Sequence, residues 1–408
     1  FVGFEKQSVS LIFPDADKNL IKVELAEGEE IEEIIISATR SSRTIEDIPT
    51  RIEAITGEEL GEKAAMNSSN IGMLLRETTG VQMQQTSLSS GNMNIRIQGL
   101  DGRYTQILKD GFPLYGGFAG GLSIMQIPPL DLKQVELIKG SNSTLYGGGA
   151  IAGLVNLVSI TPLESPEFSV MINQTSALGT TGNIFCAQKY GKTGFTLYGS
   201  ANNQIAYDPD KDCFSNIPKA KSFSINPKFF YYLNPSSELQ FGLNTTFDDR
   251  TGGDMEVIKG NQDEEHVFTE INTSRRYATQ LLYSHASESH SFVAKNSISY
   301  FNRELTIPDY TYNGKQLSSF AEMAYGIHNK EGIEWQFGAN YYYERFDESN
   351  TDSIAPRDYI HHTIGAFLQN TTEIGNKIIF EGGLRTDYSF DYGAFILPRI
   401  SILYKANS

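Results

Sequence analysis

The run Ile333-Glu334-Trp335-Gln336-Phe337-Gly338-Ala339-Asn340-Tyr341-Tyr342-Tyr343-Glu344 decides the fold class. Ile333, Trp335, Phe337, Ala339, Tyr341 and Tyr343 share one parity; Glu334, Gln336, Asn340 and Glu344 share the other. A period of two belongs to a β-strand with one apolar and one polar face. The pattern returns in Leu239, Phe241, Leu243 and Phe247 against Gln240, Gly242 and Asn244. It returns again in Phe380, Leu384 and Tyr388 against Glu381, Arg385 and Asp387. A soluble antiparallel sheet shows the same two faces, so the faces alone leave the class open.

The connections between the strands discriminate better. Short turns are expected near Gly191-Lys192, Asn234-Pro235-Ser236, Ser287-Glu288, Asn329-Lys330 and Gly375-Asn376. Longer polar loops are expected between them, at about 204–219, 248–272, 304–313 and 347–357. Short turns at one end and long loops at the other mark a transmembrane β-barrel. This spacing predicts about twelve strands from residue 162 to Ser408.

Composition is compatible with that reading. The chain has 408 residues, 21 Tyr, 24 Phe, one Trp and 37 Gly, which suits strands, tight turns and interfacial aromatic belts. Mean hydropathy is -0.30, and no apolar run reaches the roughly 18 residues a spanning helix needs. Barrel strands escape such windows because half their residues are polar. The net charge of -16 argues against a nucleic-acid surface, which needs clustered Lys and Arg. Cys186 and Cys213 make neither a metal-ligand spacing nor a disulfide framework.

Residues 44–161 read as a compact α/β unit. Asn67-Ser68-Ser69 offers capping oxygens ahead of Ile71, Leu74 and Leu75 on one helical face. Ile95-Arg96-Ile97, Gln106-Ile107-Leu108, Val135-Glu136-Leu137-Ile138 and Leu154-Val155-Asn156-Leu157-Val158 read as strands. Enzyme signatures do not appear. Gly147-Gly148-Gly149 lacks the Gly-Lys-Ser/Thr of a phosphate loop, and there is no Gly-x-Ser-x-Gly elbow. His361 and His362 point to opposite faces of a strand and cannot share a metal ion. His266, beside Glu264 and Glu265, has no second ligand at a defined spacing. No enzyme, cofactor or metal site is expected.

Six motifs occur in order within the α/β unit. They are Arg96-Ile97-Gln98-Gly99, Ile107-Leu108-Lys109-Asp110-Gly111, Val135-Glu136-Leu137-Ile138-Lys139-Gly140, Ser143-Thr144-Leu145-Tyr146-Gly147, Ala150-Ile151-Ala152-Gly153 and Leu154-Val155-Asn156-Leu157. Together they resemble the plug of TonB-dependent outer-membrane receptors, departing at Ala152 where that family often has Gly. The resemblance implies a mostly β protein: an α/β plug, then an antiparallel transmembrane β-barrel of which about twelve of an expected twenty-two strands are present. Residues 1–30 resemble the end of a carboxypeptidase-regulatory-like β-sandwich of Bacteroidetes-type receptors, and 31–43 a linker.

In that linker Glu33-Ile34-Ile35-Ile36-Ser37-Ala38 looks like a TonB box. An extended apolar segment of this kind can add as a strand to a partner's sheet edge. The resemblance further implies that Arg96 and Lys139 form a basic latch to carboxylates of the inner barrel wall. It assigns ligand contact to plug loops 82–93 and 112–121, with Gln84, Gln85, Tyr115 and Phe118 as the candidate side chains. The implied partners are TonB with its inner-membrane energising complex, outer-membrane lipid, and an extracellular metal-chelate or vitamin ligand. The implied location is the bacterial outer membrane, with plug and N-terminus facing the periplasm.

Geometry adds one expectation. Twelve strands about 4.8 Å apart and tilted about 40° close at a backbone radius of roughly 12 Å. A plug of about 118 residues has a radius of gyration of roughly 13 Å and does not fit inside. Twenty-two strands give roughly 22 Å, which accommodates it. The twelve strands are therefore expected to form an open, curved wall around the plug.

Overall fold

The computed structural model describes residues 36–37, 45–114, 118, 124–329, 332–351, 355–375 and 377–406. The expected sandwich remnant at 1–30 lies outside the described residues, as do Glu33, Ile34, Ile35, Ala38 and Tyr115.

Seven strands build the inner unit: β1 (Ile52–Thr56), β2 (Val81–Gln85), β3 (Met93–Ile97), β4 (Thr105–Lys109), β5 (Phe112–Pro113), β6 (Leu132–Lys139) and β7 (Gly153–Ser159). Five of them form one sheet in the order β1-β6-β7-β4-β5, and β2 and β3 form a separate hairpin. The β4–β7 pair is parallel, while β1–β6 and β6–β7 are antiparallel. Helices α1 (Gly57–Met66), α2 (Gly72–Arg76) and α3 (Ser143–Tyr146) complete the unit.

The core of this unit follows from the apolar pattern. Val135, Leu137, Val155 and Leu157 pack with Ile71, Leu74, Leu75, Ile95 and Ile97. Ile71, Leu74 and Leu75 are buried, as their helical spacing predicts. No side chain caps α2 at its N-cap Ile71: Asn70 Oδ1 accepts the Gly72 N–H at 2.9 Å, and Asn67 closes a local turn with Ser69. Sequence reading did not find α1. Its apolar face is narrow, with only Leu60 and Ala64 buried.

Twelve further strands form one continuous antiparallel sheet in chain order. They are β8 (Glu167–Gln174), β9 (Thr180–Tyr190), β10 (Thr193–Gln204), β11 (Lys219–Asn234), β12 (Ser237–Gly253) and β13 (Thr269–Ala286). Then come β14 (His290–Ile307), β15 (Tyr310–His328), β16 (Ile333–Asn350), β17 (Tyr359–Ile374), β18 (Ile378–Ser389) and β19 (Gly393–Tyr404). The edge strands β8 and β19 do not pair with each other, so the sheet is an open wall.

Burial assigns the two faces and separates the two classes that alternation left open. On β16 the apolar parity is solvent-facing, with Trp335 and Phe337 each 42% exposed. The polar parity is buried against the inner unit, with Glu334 4% and Gln336 5% exposed. A soluble sheet would show the reverse. An apolar outer face and a polar interior are what a lipid-facing barrel wall requires.

The short turns fall where predicted, at 191–192, 235–236 and 287–289. The opposite ends need three corrections. The expected loop 304–313 is a two-residue turn, Pro308-Asp309, because Leu305↔Tyr312 and Glu304↔Asn313 continue the ladder. The loops expected at 248–272 and 347–357 shrink because β12 runs on to Gly253 and β16 to Asn350. A strand of 18 residues such as β13 spans about 45 Å after tilting, well beyond the roughly 25 Å apolar band. The polar strand ends thus stand in water while still paired, and polarity alone mimicked a loop.

Candidate functional site

The inner unit lies against the concave face of the wall, and side-chain contacts fix it there at two levels. At the short-turn level Lys228 of β11 pairs with Asp110 and donates to Ser159 Oγ at 2.9 Å. Lys295 Nζ of β14 reaches the Gly111 carbonyl at 3.3 Å. Arg385 of β18, almost fully buried, donates to Asp387 Oδ1 at 2.7 Å, Asn340 Oδ1 at 2.9 Å and the Leu145 carbonyl at 3.3 Å. Arg399 and Lys405 of the wall reach Thr50 and Asp47.

The two residues expected to form the latch make no ion pair with the wall among the described residues. Lys139 pairs with Glu53 on the neighbouring strand β1, inside the same unit. Arg96 stands in a cleft with Arg76, Gln82 and Gln84 and makes no ion pair with the wall among the described residues. The wall mainly supplies the cations and the inner unit the acceptors. Sequence gave no signal for this, because Lys228 and Arg385 look like any polar-parity residues of a strand.

At the long-loop level the contacts are denser. Gln126 Nε2 donates to Asp248 Oδ2 at 3.1 Å and Ser274 Oγ at 2.7 Å, while Arg276 donates to Gln126 Oε1. Arg250 Nη1 donates to the Ser90 carbonyl at 3.1 Å, and Ser87 and Ser89 both reach Glu270. At Gly252 the wall approaches so closely that an added Cβ would lie 1.8 Å from the Ser89 carbonyl oxygen. Phe118 packs among three wall rings: Phe301 at 5.5 Å, Tyr312 at 5.8 Å and Phe346 at 4.8 Å between centroids. Gln84 and Gln85 end β2 with exposed side chains. Phe118 thus reaches a wall of aromatics and arginines, with Arg276 lying 3.8 Å over the Phe301 ring.

The described part of the expected TonB box lies at the opposite end. Ile36 is fully buried among Ile48, Leu108, Ile138 and Leu145. Ser37 donates through its N–H (2.8 Å) and Oγ (2.9 Å) to Glu136 Oε1. Glu136 is itself fully buried and also accepts Gln134 Nε2 at 2.6 Å and Asn156 Nδ2 at 2.8 Å. Ser37 borders a cavity of about 570 Å³ shared with Asp110, Glu288, Lys295 and His328.

The histidines and acidic residues have local explanations. His361 bonds Asp391 and His362 bonds Tyr341, each at 2.7 Å. Asp208, Asp210 and Asp212 bring carboxylate oxygens within 4.8 Å of one another. These oxygens accept local donors: Lys211 and Cys213 N–H on Asp208, Phe214 N–H on Asp212 and Asn216 on Asp210. Cys186 and Cys213 are both free thiols.

His266 Nδ1 lies 2.7 Å from Asp254 Oδ2, and Asp254 Oδ1 also caps the short helix α4 (Met255–Lys259) through Glu256 N–H. The bond to Asp254 raises the imidazole pKa above its ordinary value. A raised folded-state pKa means the pair's contribution is complete below the ordinary value and fades as pH rises through the raised one. Loop 254–268 should therefore be tightest in mild acid and loosen above neutrality. An NMR titration of the His266 ring with a midpoint at or below about 6.5 would contradict this.

Comparison with known proteins places these features. Residues 44–154 match the family described as TonB-dependent Receptor Plug Domain. The chain is 23% identical over 397 residues to the iron-regulated outer membrane virulence protein of Vibrio cholerae, covering 90% of this chain and 56% of that protein. It is 23% identical over 394 residues to the vitamin B12 transporter BtuB of Photobacterium profundum, covering 92% of this chain and 60% of that one. Among solved structures, the ferric enterobactin receptor PfeA of Pseudomonas aeruginosa superposes with a TM-score of 0.70 at 15% identity, over 92% of this chain and 62% of that chain. The ferric yersiniabactin uptake receptor FyuA of Yersinia pestis gives 0.69 at 14% identity, over 88% of this chain and 63% of that chain. These structural likenesses concern the fold, and the chain spans little more than half of the proteins it matches. Residues 44–154 thus carry the pattern of the TonB-dependent receptor plug family, seated against an open wall with an apolar outer face.

Proposed function

We propose that the receptor imports a scarce nutrient across the bacterial outer membrane, driven by TonB, and that the nutrient is a ferric siderophore or haem. The long-loop end then faces outward and the Ser37 end faces the periplasm. The observation that carries this reading is the division of the plug's two ends. One carries exposed amides and a ring set among wall aromatics and arginines. The other carries the segment after residues 33–36, fastened to a buried carboxylate. Aromatics and arginines suit an anionic chelate bearing aromatic groups, since a guanidinium recognises anionic oxygens and also stacks on rings. The similarity to a protein described as iron-regulated supports the same substrate class.

Arg96, Gln82 and Gln84 stand in an open cleft on the β2–β3 hairpin. We propose that in the complete receptor this cleft meets further barrel wall, where Arg96 finds its carboxylate.

Cobalamin is the second reading. It is favoured by 28% identity over 138 residues to the vitamin B12 transporter BtuB of Vibrio vulnificus. Parallel titration of the detergent-purified full-length receptor with ferric siderophores, haem and cobalamin separates these substrates. Deleting residues 33–38 tests import itself: uptake should vanish while binding persists. Unchanged growth on the limiting nutrient would instead favour a surface sensor that imports nothing.

A further inference from the structure

Asn156 stands where an apolar residue would pack at less cost. It lies on β7 between Val155 and Leu157, fully buried in the plug sheet, and a buried amide is costly unless it is bonded. Its partners come from three separate segments. Nδ2 donates to Ser37 Oγ at 2.9 Å and to Glu136 Oε2 at 2.8 Å, while Oδ1 accepts the Gly111 N–H at 3.0 Å. A backbone N–H can only donate. Gly111 therefore fixes the oxygen end of the amide and aims its nitrogen at Ser37.

Gly111 belongs to the part of the plug that the wall grips. Asp110 and Gly111, with φ of 54° and 72°, are the central residues of the tight turn between β4 and β5. Lys109 and Phe112 pair across that turn, which leaves the Gly111 N–H outside the ladder. Three wall strands hold the turn. Lys228 of β11 pairs with the Asp110 carboxylate, Gln280 of β13 donates to the Lys109 carbonyl at 3.3 Å, and Lys295 of β14 donates to the Gly111 carbonyl at 3.3 Å. The wall's grip on the turn and the plug's grip on Ser37 thus meet in one side chain.

We propose that Asn156 is a positioning residue that couples these two grips. A shift of the 109–111 turn against the wall withdraws the Gly111 N–H, unkeys the amide and loosens Ser37. Coupling between two sites is reciprocal, so drawing Ser37 away loosens the turn from Lys228, Gln280 and Lys295. Its bearing on import rests on the reading of residues 33–38 as the segment that TonB pulls. Under that reading, the first plug–wall contact to yield is the 109–111 turn, ahead of the Gln126 and Arg250 contacts at the other end.

The test is a double-mutant cycle on the full-length receptor in detergent, with neither nutrient nor TonB present, read by hydrogen exchange at Ser37. Lys228→Met frees Asp110 from the wall and should speed exchange of the Ser37 amide by about tenfold, a usual size for coupled sites. In an Asn156→Leu background the same change should alter that exchange by less than about twofold, whereas sites with no shared partner give equal factors in both backgrounds. The Leu75 amide, bonded to the Ile71 carbonyl inside the plug, should respond to neither variant. If Asn156→Leu does not fold, Ser37→Ala replaces it in the cycle; losing the oxygen that Nδ2 holds should cut the Lys228→Met factor by about half or more. Gln280→Leu, which loosens the turn through Lys109, serves in the same way for Lys228→Met. An unchanged Ser37 amide, equal factors in both backgrounds, or a Leu75 amide that speeds up alongside Ser37 would each overturn the proposal. A coupled cycle in a receptor that still imports without residues 33–38 would leave the coupling standing and sink the TonB reading alone.

Discussion

Replacing Glu136 by alanine should free the segment around Ser37 and leave the rest of the plug folded. The Glu136 carboxylate holds Ser37 through two hydrogen bonds and also takes Gln134 and Asn156. Hydrogen bonds to a charged acceptor contribute about 1.5–3 kcal/mol each. Losing the two from Ser37 should therefore raise its amide exchange rate by about a hundredfold or more. The cost to the plug itself should be smaller, about 1–3 kcal/mol from Gln134 and Asn156 donors left short of an acceptor. Hydrogen exchange resolved at Ser37 reads the first effect and urea unfolding the second. Unchanged protection of the Ser37 amide would show that Ile36, buried among Ile48 and Leu108, holds the segment without Glu136. Under the proposed function, the same variant should bind a periplasmic fragment of TonB without needing ligand, since the contact opposing release is gone.

Replacing Arg385 by methionine should destabilise the wall beneath α3 by about 3–5 kcal/mol, the usual cost of removing one partner from a buried ion pair, while the plug itself loses only the donor to the Leu145 carbonyl. Methionine keeps much of the stem but removes every donor. Asp387 and Asn340 lose a partner, and so does the Leu145 carbonyl. The double variant Arg385→Met with Asp387→Leu removes both charges and should recover a large part of the loss. The measurement is hydrogen exchange across α3 and the following turn, residues 143–150. Equal exchange in the wild type and the single variant would mean that Lys228, Gln126 and Arg250 hold the plug unaided.

Much of this architecture was legible because it depends on local rules. The period of two in 333–344 fixed a strand, and turn residues every second connection fixed its direction of return. The plug strands around Ile97, Ile107, Val135 and Val155 stood out as β-branched runs, and the ordered motifs identified the unit. Loop 304–313 misled because strand ends leave the membrane before they leave the sheet, so Glu304 and Asn313 look like loop residues while pairing in the ladder. Helix α1 was missed because two buried residues give no readable stripe.

The sequence by itself determined the kind of wall and the kind of plug, since alternation and turn spacing are properties of neighbouring residues. Only the tertiary structure decided which face of the wall looks inward, because the alternation is the same whichever face is buried. It also decided which cation meets which acceptor. Lys139 turns to Glu53 beside it, whereas Lys228 and Arg385 cross to the plug. Such pairs join residues from 86 to 240 positions apart, and their charges find partners only where the fold has removed water. No local pattern records that removal.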